Sequence, residues 1–183
     1  MKGRLSAARG GVGRFDLAVD RAFDRLRGHP VADRTFYAAS ELGDFGLIWV
    51  LLGTAKGLRR GGDLEAALRL AAAMGIESIL VNGIVKSFFR RTRPVWGEGE
   101  RPLRLRQPLT SSFPSGHATA GFSAAMMLSE DDPLGPLYFA LAAVVASSRI
   151  YVKIHHASDV AGGVALGLLL GALGRRLVPA PSR

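Results

Sequence analysis

Five apolar stretches, divided by charged and Gly- or Pro-containing segments, limit what this 183-residue chain can fold into. They run roughly from Phe36 to Leu58, Leu64 to Val85, Ala118 to Leu128, Leu137 to Ala146 and Val160 to Leu177. A membrane-spanning helix needs about 20 mainly apolar residues. The first, second and fifth stretches meet that length. The third and fourth reach it only if the polar residues at their ends lie inside protein or a water-filled cavity, and polar groups at such depth usually mark a site. Buried helices of a soluble bundle are the alternative for those two. The expected fold class is all-α: a polytopic membrane helical bundle of about five transmembrane helices, preceded by an N-terminal amphipathic helix. That first helix is expected from Arg14 to Arg27, where Phe15, Leu17, Ala18, Ala22, Phe23 and Leu26 recur at near-helical spacing. It would either lie flat at the membrane interface or pack on the protein.

The expected organisation is a basic N-terminal segment at 1–34, a helical-bundle domain at 35–178 and a flexible tail at 179–183. Residues Met1–Gly13 read as disordered. Gly163, Gly167 and Gly171, four apart, give the fifth stretch a smooth groove suited to close helix packing. Pro133 and Pro136 bracket a short acidic turn, and Glu77 inside the second stretch is expected to pair with Arg69 or another buried group. Hydrophobic residues make up 48% of the chain and mean hydropathy is +0.19, high for a soluble domain. With no cysteine, disulfides and thiolate metal sites are excluded. A formal net charge of +9 favours anionic partners. Nucleic acid is the weaker choice among them, because the basic residues flank apolar runs and no nucleic-acid-binding motif stands out. No apolar segment with a cleavage site follows the basic N-terminus, so insertion would use uncleaved spans.

Three polar clusters sit at the ends of the apolar stretches. The first is Lys86-Ser-Phe-Phe-Arg-Arg-Thr-Arg93-Pro94, the second Pro114-Ser115-Gly116-His117. In the third, Ser148-Arg149 is followed by His155 and then Asp159. Phosphoryl transfer needs fixed positive charge on the equatorial oxygens of the transition state. Lys86, Arg93 and Arg149 supply it, and the planar arginine fork matches phosphate oxygens in pairs. Ser115 and Gly116 open the third helix, where free N–H groups form an anion site. His155 and Asp159 are four apart and would share one helix face. The carboxylate would fix the imidazole tautomer and leave the other nitrogen to attack phosphorus. His117 is the natural general acid for the departing alkoxide. No metal and no other cofactor is required.

Alone, each cluster has a blander reading: a lipid-headgroup patch, a helix cap, a structural ion pair. Together they shift the balance, because alternating spans bring all three to one side. The pattern Lys-x6-Arg-Pro, Pro-Ser-Gly-His, Ser-Arg-x5-His-x3-Asp resembles that of the type-2 phosphatidic acid phosphatases, or lipid phosphate phosphatases. The resemblance covers Lys86 to Asp159, with the helical core extending to about Leu177. It implies a metal-independent phosphatase acting on a phosphate monoester or pyrophosphate of a phospholipid or polyprenyl-phosphate lipid, with His155 as nucleophile, Asp159 as its partner, His117 as acid, and phosphate contacts from Lys86, Arg93, Ser115, Gly116 and Arg149. The implied partners are a phosphorylated lipid and the bilayer. The Ala-, Arg- and Gly-rich composition looks actinobacterial, and a decaprenyl-phosphoryl phosphoribose phosphatase-like activity in arabinan precursor metabolism is the specific expectation. A vanadium-dependent haloperoxidase, which shares such an oxyanion pocket, and a non-enzymatic lipid-binding protein are the alternatives. With the N-terminus and the site loops on one side, 17 of the 24 Lys and Arg residues gather there. The positive-inside rule then turns the site towards the cytoplasm of a bacterial plasma membrane.

Overall fold

A computed structural model describes residues 10–59, 64–95 and 108–178. Among them there are seven α-helices and no strand: α1 (Gly11–Asp24), α2 (Pro30–Leu42), α3 (Leu47–Arg59), α4 (Leu64–Ser78), α5 (Gly116–Leu128), α6 (Gly135–Tyr151) and α7 (Ala157–Leu177). The all-α expectation holds. Helix α4 continues through a π turn (Ile79–Ile84) and a 3-10 turn (Val85–Phe88). By length and hydropathy two helical rods suffice to cross a membrane, Glu65–Phe88 and Ala157–Leu177, or three if a bent pair counts as one span. Five independently spanning helices are therefore more than length and composition support. Helices α5 and α6 are shorter than those rods, with 13 and 17 residues; α5 is largely buried, while α6 keeps Leu137 and Val144 on an exposed face.

The bent pair is the first apolar stretch. It does not run straight from Phe36 to Leu58. It breaks at Asp44–Gly46, where α2 and α3 meet at 65°. The sequence Gly43-Asp44-Phe45-Gly46 breaks it, with Phe45 at φ 56° and Gly46 at φ 69°. Helix α1 begins at Gly11, inside the segment expected to be disordered, and its side chains favour packing on the protein. Asp16 is buried, Val19 and Phe23 lie against Ala118, Ala146, Ile150 and Val160, while Phe15 and Leu17 stay exposed. A turn with Gly28 at φ 87° separates α1 from α2, which starts on Pro30, whose missing N–H costs nothing there. The 179–183 tail lies outside the described residues.

Lipid tails are as apolar as leucine, so helices in a bilayer associate through close packing and polar contacts. Both are visible. A Cβ on Gly163 would come within 2.6 Å of the Ser115 carbonyl oxygen, and one on Gly171 within 2.6 Å of Met126 Cβ. The glycine stripe of α7 thus lets the α5 backbone lie directly against it. Trp49, fully buried, fills the space between α3, α5 and α6 with Ala124, Ala142 and Val145 around it. At the other end of α5 the acidic turn is neutralised by cations. The Asp132 carboxylate, with no exposed surface, accepts from the Leu134 N–H at 3.0 Å and the Tyr138 hydroxyl at 3.1 Å, and pairs with Arg59. Lys56 donates to the Leu128 carbonyl at 2.6 Å, closing the end of α5. Arg69 pairs with Glu130 at 2.6 Å and not with Glu77, whose Oε1 is buried without a hydrogen bond among the described residues.

Candidate active site

The end of the bundle opposite that turn collects all three clusters. Ser115 caps α5, its Oγ accepting from the Ala118 N–H at 3.5 Å. Its own N–H donates to the Asp159 carbonyl at 3.0 Å, tying the start of α5 to the first turn of α7. Gly116 is the first residue of α5. A Cβ there would stand 3.5 Å from Lys86 Nζ, which is held by the Asn82 side chain at 2.8 Å. The π turn and the 3-10 turn after α4 thus deliver a buried lysine to the start of α5.

The third cluster turns back on itself. After α6 ends, Lys153 adopts φ 51°, and the N–H groups of Ile154 and His155 both donate to the Arg149 carbonyl, at 3.1 and 3.0 Å. This folds His155 under Arg149. The spacing of five residues between them is the length of that turn. His155 therefore precedes α7 rather than lying on it, since His156 is the N-cap. The helical-face argument for His155 and Asp159 is corrected accordingly. Asp159 is the third residue of α7, and its Oδ2 reaches back to the His156 N–H at 2.8 Å, a capping interaction that brings it beside His155. The gap from Asp159 Oδ2 to His155 Nδ1 is 3.7 Å, longer than a hydrogen bond, and Nδ1 has no other partner among the described residues. On the opposite side of the ring, Arg93 Nη1 lies 3.3 Å from Nε2. An arginine N–H can only donate, so Nε2 is the accepting nitrogen and Nδ1 carries the proton. Burial, together with the Arg149 and Arg93 guanidiniums, pushes the imidazole down to about 3, with Asp159 pulling the other way.

Arg93 is fixed by backbone carbonyls: Ile154 at 3.0 Å, Thr110 at 3.1 Å and Ser111 at 3.2 Å. Arg149 is buried, donates to Ser40 Oγ, and leaves its Nε buried without a hydrogen bond. Lys86, Arg93, Arg149 and Asp159 lie close enough for their charges to act on one another. His117 borders the same group, with Arg149 acting on it and its Nε2 3.0 Å from Asp44 Oδ1. All eight expected site residues therefore meet at one end of the bundle. They form a largely buried cluster of three cations and two imidazoles, whose charge suits a phosphoryl group. His156 points away, its Nε2 3.2 Å from the Thr92 carbonyl.

Other residues around the site were not singled out from the sequence. Arg91 joins Asp159 Oδ1 at 2.6 Å, Ser158 Oγ at 2.8 Å and Asp16 Oδ2 at 2.6 Å. Asp16 Oδ1 accepts from the Ser158 N–H at 2.8 Å, so α1 supplies a cap to α7 across 142 residues. Asp44, Ser40 and Asn82 also touch site residues. Arg91 lies inside the first quoted cluster, and Asp44 had a signal of its own, a carboxylate flanked by Gly43 and Gly46 inside an apolar stretch.

Comparison with known proteins bears on the family and the fold. The model of the PAP2 superfamily matches residues 66–183. The decaprenylphosphoryl-5-phosphoribose phosphatase of Mycobacterium tuberculosis is 33% identical over 144 residues, covering 67% of this chain and 78% of that protein. The crystal structure of Aquifex aeolicus LpxE superposes with a TM-score of 0.68 at 28% identity, covering 87% of this chain and 94% of that one. The first transmembrane PAP2 type phosphatidylglycerolphosphate phosphatase from Bacillus subtilis shares the fold with a TM-score of 0.70 at 24% identity, covering 98% and 92%. With a family match over well over half its length, the chain belongs to the PAP2 superfamily.

Proposed function

We propose that the protein is a multi-pass membrane phosphatase that removes phosphate from a phospholipid or polyprenyl-phosphate lipid, without a metal, through a phosphohistidine. The observation that carries this reading is the buried His155, with Arg93 3.3 Å from Nε2 and Asp159 3.7 Å from Nδ1. A substrate phosphate entering beside Arg93 draws the guanidinium onto its own oxygens and frees the Nε2 lone pair. Nε2 then forms a bond to phosphorus while the bond to the lipid oxygen breaks, and that oxygen takes a proton from His117. Lys86, Arg93 and Arg149 offset the charge on the equatorial oxygens, and Asp159 stabilises the charged phosphoimidazole. In the second step a water gives its proton to His117 and attacks phosphorus. The P–N bond breaks and inorganic phosphate leaves.

The 33% identity to a decaprenylphosphoryl-5-phosphoribose phosphatase favours a phosphate monoester on a polyprenyl-phosphoryl sugar as the first substrate to test, in cell-envelope arabinan precursor metabolism. For orientation, Arg27 after α1 donates to the Tyr151 and Ile150 carbonyls at 2.8 and 2.9 Å, which supports grouping the N-terminal charge with the site loops. The positive-inside rule then turns the site to the cytoplasm of a bacterial plasma membrane. The test is phosphate release from a lipid panel in detergent, with and without EDTA, by wild type, His155→Ala and His117→Ala. Activity that survives EDTA and disappears in His155→Ala is expected. Full activity in His155→Ala, or its loss with EDTA, overturns the mechanism. Halide oxidation with vanadate and peroxide, in place of phosphate release, would return the haloperoxidase reading.

A further inference from the structure

The break between α2 and α3 packs its glycines closely, Gly46 against Met74 and Gly43 against Val145, but the side chain of Phe45 gains nothing from it. Phe45 is held in the left-handed region at φ 56°, a conformation that disfavours a residue with a Cβ, while its side chain is 93% exposed. What the break achieves is the aim of the residue before it. Asp44 Oδ1 lies 3.0 Å from His117 Nε2, and the Ser40 carbonyl lies 3.1 Å from the same nitrogen. Gly43 allows the approach, since a Cβ there would come within 2.7 Å of His117 Cδ2.

Both neighbours of Nε2 are acceptors, so Nε2 carries a proton and Nδ1 is the nitrogen left for the reacting side. In that state Nδ1 donates only when the ring is an imidazolium. Burial opposes a charge on the ring; of the charged groups facing it, Asp44 from the break favours one and Arg149 from α6 opposes it. We propose that Asp44 is a positioning residue for His117: it holds the ring with Nε2–H turned towards the α2–α3 break and stabilises the imidazolium whose Nδ1–H protonates the leaving oxygen. Each imidazole of the site then has its own carboxylate, Asp159 for His155 and Asp44 for His117. In the first step the Nδ1–H bond breaks as the lipid oxygen gains the proton. In the second, Nδ1 takes a proton from the attacking water. The inference rests on the phosphatase reading and adds to it a residue outside the three signature clusters. The Asp44 side chain is 46% exposed, and so exposed an ion pair contributes little to folding. Asp44→Asn is therefore expected to fold.

The experiment compares kcat/KM for an alkyl phosphate lipid and for p-nitrophenyl phosphate, whose leaving group needs no proton. General acid catalysis is worth about 100-fold or more. Asp44→Asn is expected to lose at least about tenfold on the alkyl ester and clearly less on the aryl ester, with part of the loss restored by Asp44→Glu. Nitrogen-15 NMR of labelled histidines in detergent, with His117 assigned through His117→Gln, is expected to show the Nε2–H tautomer in wild type and a mixture in Asp44→Asn. Equal losses on both esters, no loss on either, or an Nδ1–H tautomer in wild type would overturn the proposal. If wild type releases no phosphate from any ester, the phosphatase reading fails, and the tautomer still decides whether Asp44 sets the ring.

Discussion

Gly163→Ala tests whether the glycine groove of α7 sets the geometry of the site. The added methyl would meet the Ser115 carbonyl oxygen at 2.6 Å and Ala118 Cβ at 2.9 Å. Neither neighbour is a flexible side-chain tip. Restoring an ordinary contact of about 3.5 Å requires α5 and α7 to separate by nearly 1 Å. That displacement falls where the Ser115 N–H meets the Asp159 carbonyl, the junction of the second and third clusters. A misplacement of about 1 Å at a reacting centre costs about 100-fold in rate. Gly163→Ala is therefore expected to lose about 100-fold in kcat, with helical content by circular dichroism unchanged. Gly174→Ala is the control, because its Cβ would meet only the flexible Met127 side chain, at 3.2 Å. If Gly163→Ala keeps more than half the wild-type kcat, the groove is not what aligns the clusters.

Asp132→Ala is expected to destabilise the protein by about 3 kcal/mol in detergent unfolding, because it strips a fully buried carboxylate from the Tyr138 hydroxyl and the Lys56 ammonium. An unchanged unfolding midpoint would contradict this. Stability should also fall with acidification. An unfolded His155 takes up its proton near 6.5, while the folded ring is held down to about 3, so the unfolded state binds more protons between those values. The resulting loss is absent above about pH 6.5 and reaches about 2 kcal/mol at pH 5; His155→Gln should flatten that slope. Because the chain has no cysteine, Leu109→Cys at the exposed site end and Pro133→Cys at the other give clean single-cysteine probes. An impermeant reagent outside the cell should label position 133 and spare position 109; the reverse pattern would invert the orientation.

The site was legible in the sequence to the extent that its parts are contiguous. Each cluster is a local device: Ser115-Gly116 a cap, Arg149 to His155 a turn, Lys86 to Arg93 the end of a rod, and short spacings survive in one dimension. Where helical periodicity was assumed across an element boundary, it misled. His155 and Asp159 meet through a capping contact and not through a shared face. The long stretch from Phe36 to Leu58 read as one span because hydropathy averages over Gly43-Asp44-Phe45-Gly46. The contacts of Asp16 with Ser158 and of Arg91 with Asp159 bridge 142 and 68 residues, and no spacing rule reaches that far. The glycine stripe was readable because it repeats every helical turn.

The most direct test is to find the phosphorus on the enzyme. Wild type and His117→Ala would be mixed rapidly with phosphorus-32-labelled lipid, quenched in alkali, where phosphohistidine survives, digested and sequenced by mass spectrometry. The account predicts label on the peptide carrying His155, absent in His155→Ala and released by acid. Label on Ser115 or another residue, or phosphate release with no covalent label under conditions that trap a known phosphohistidine enzyme, would contradict it.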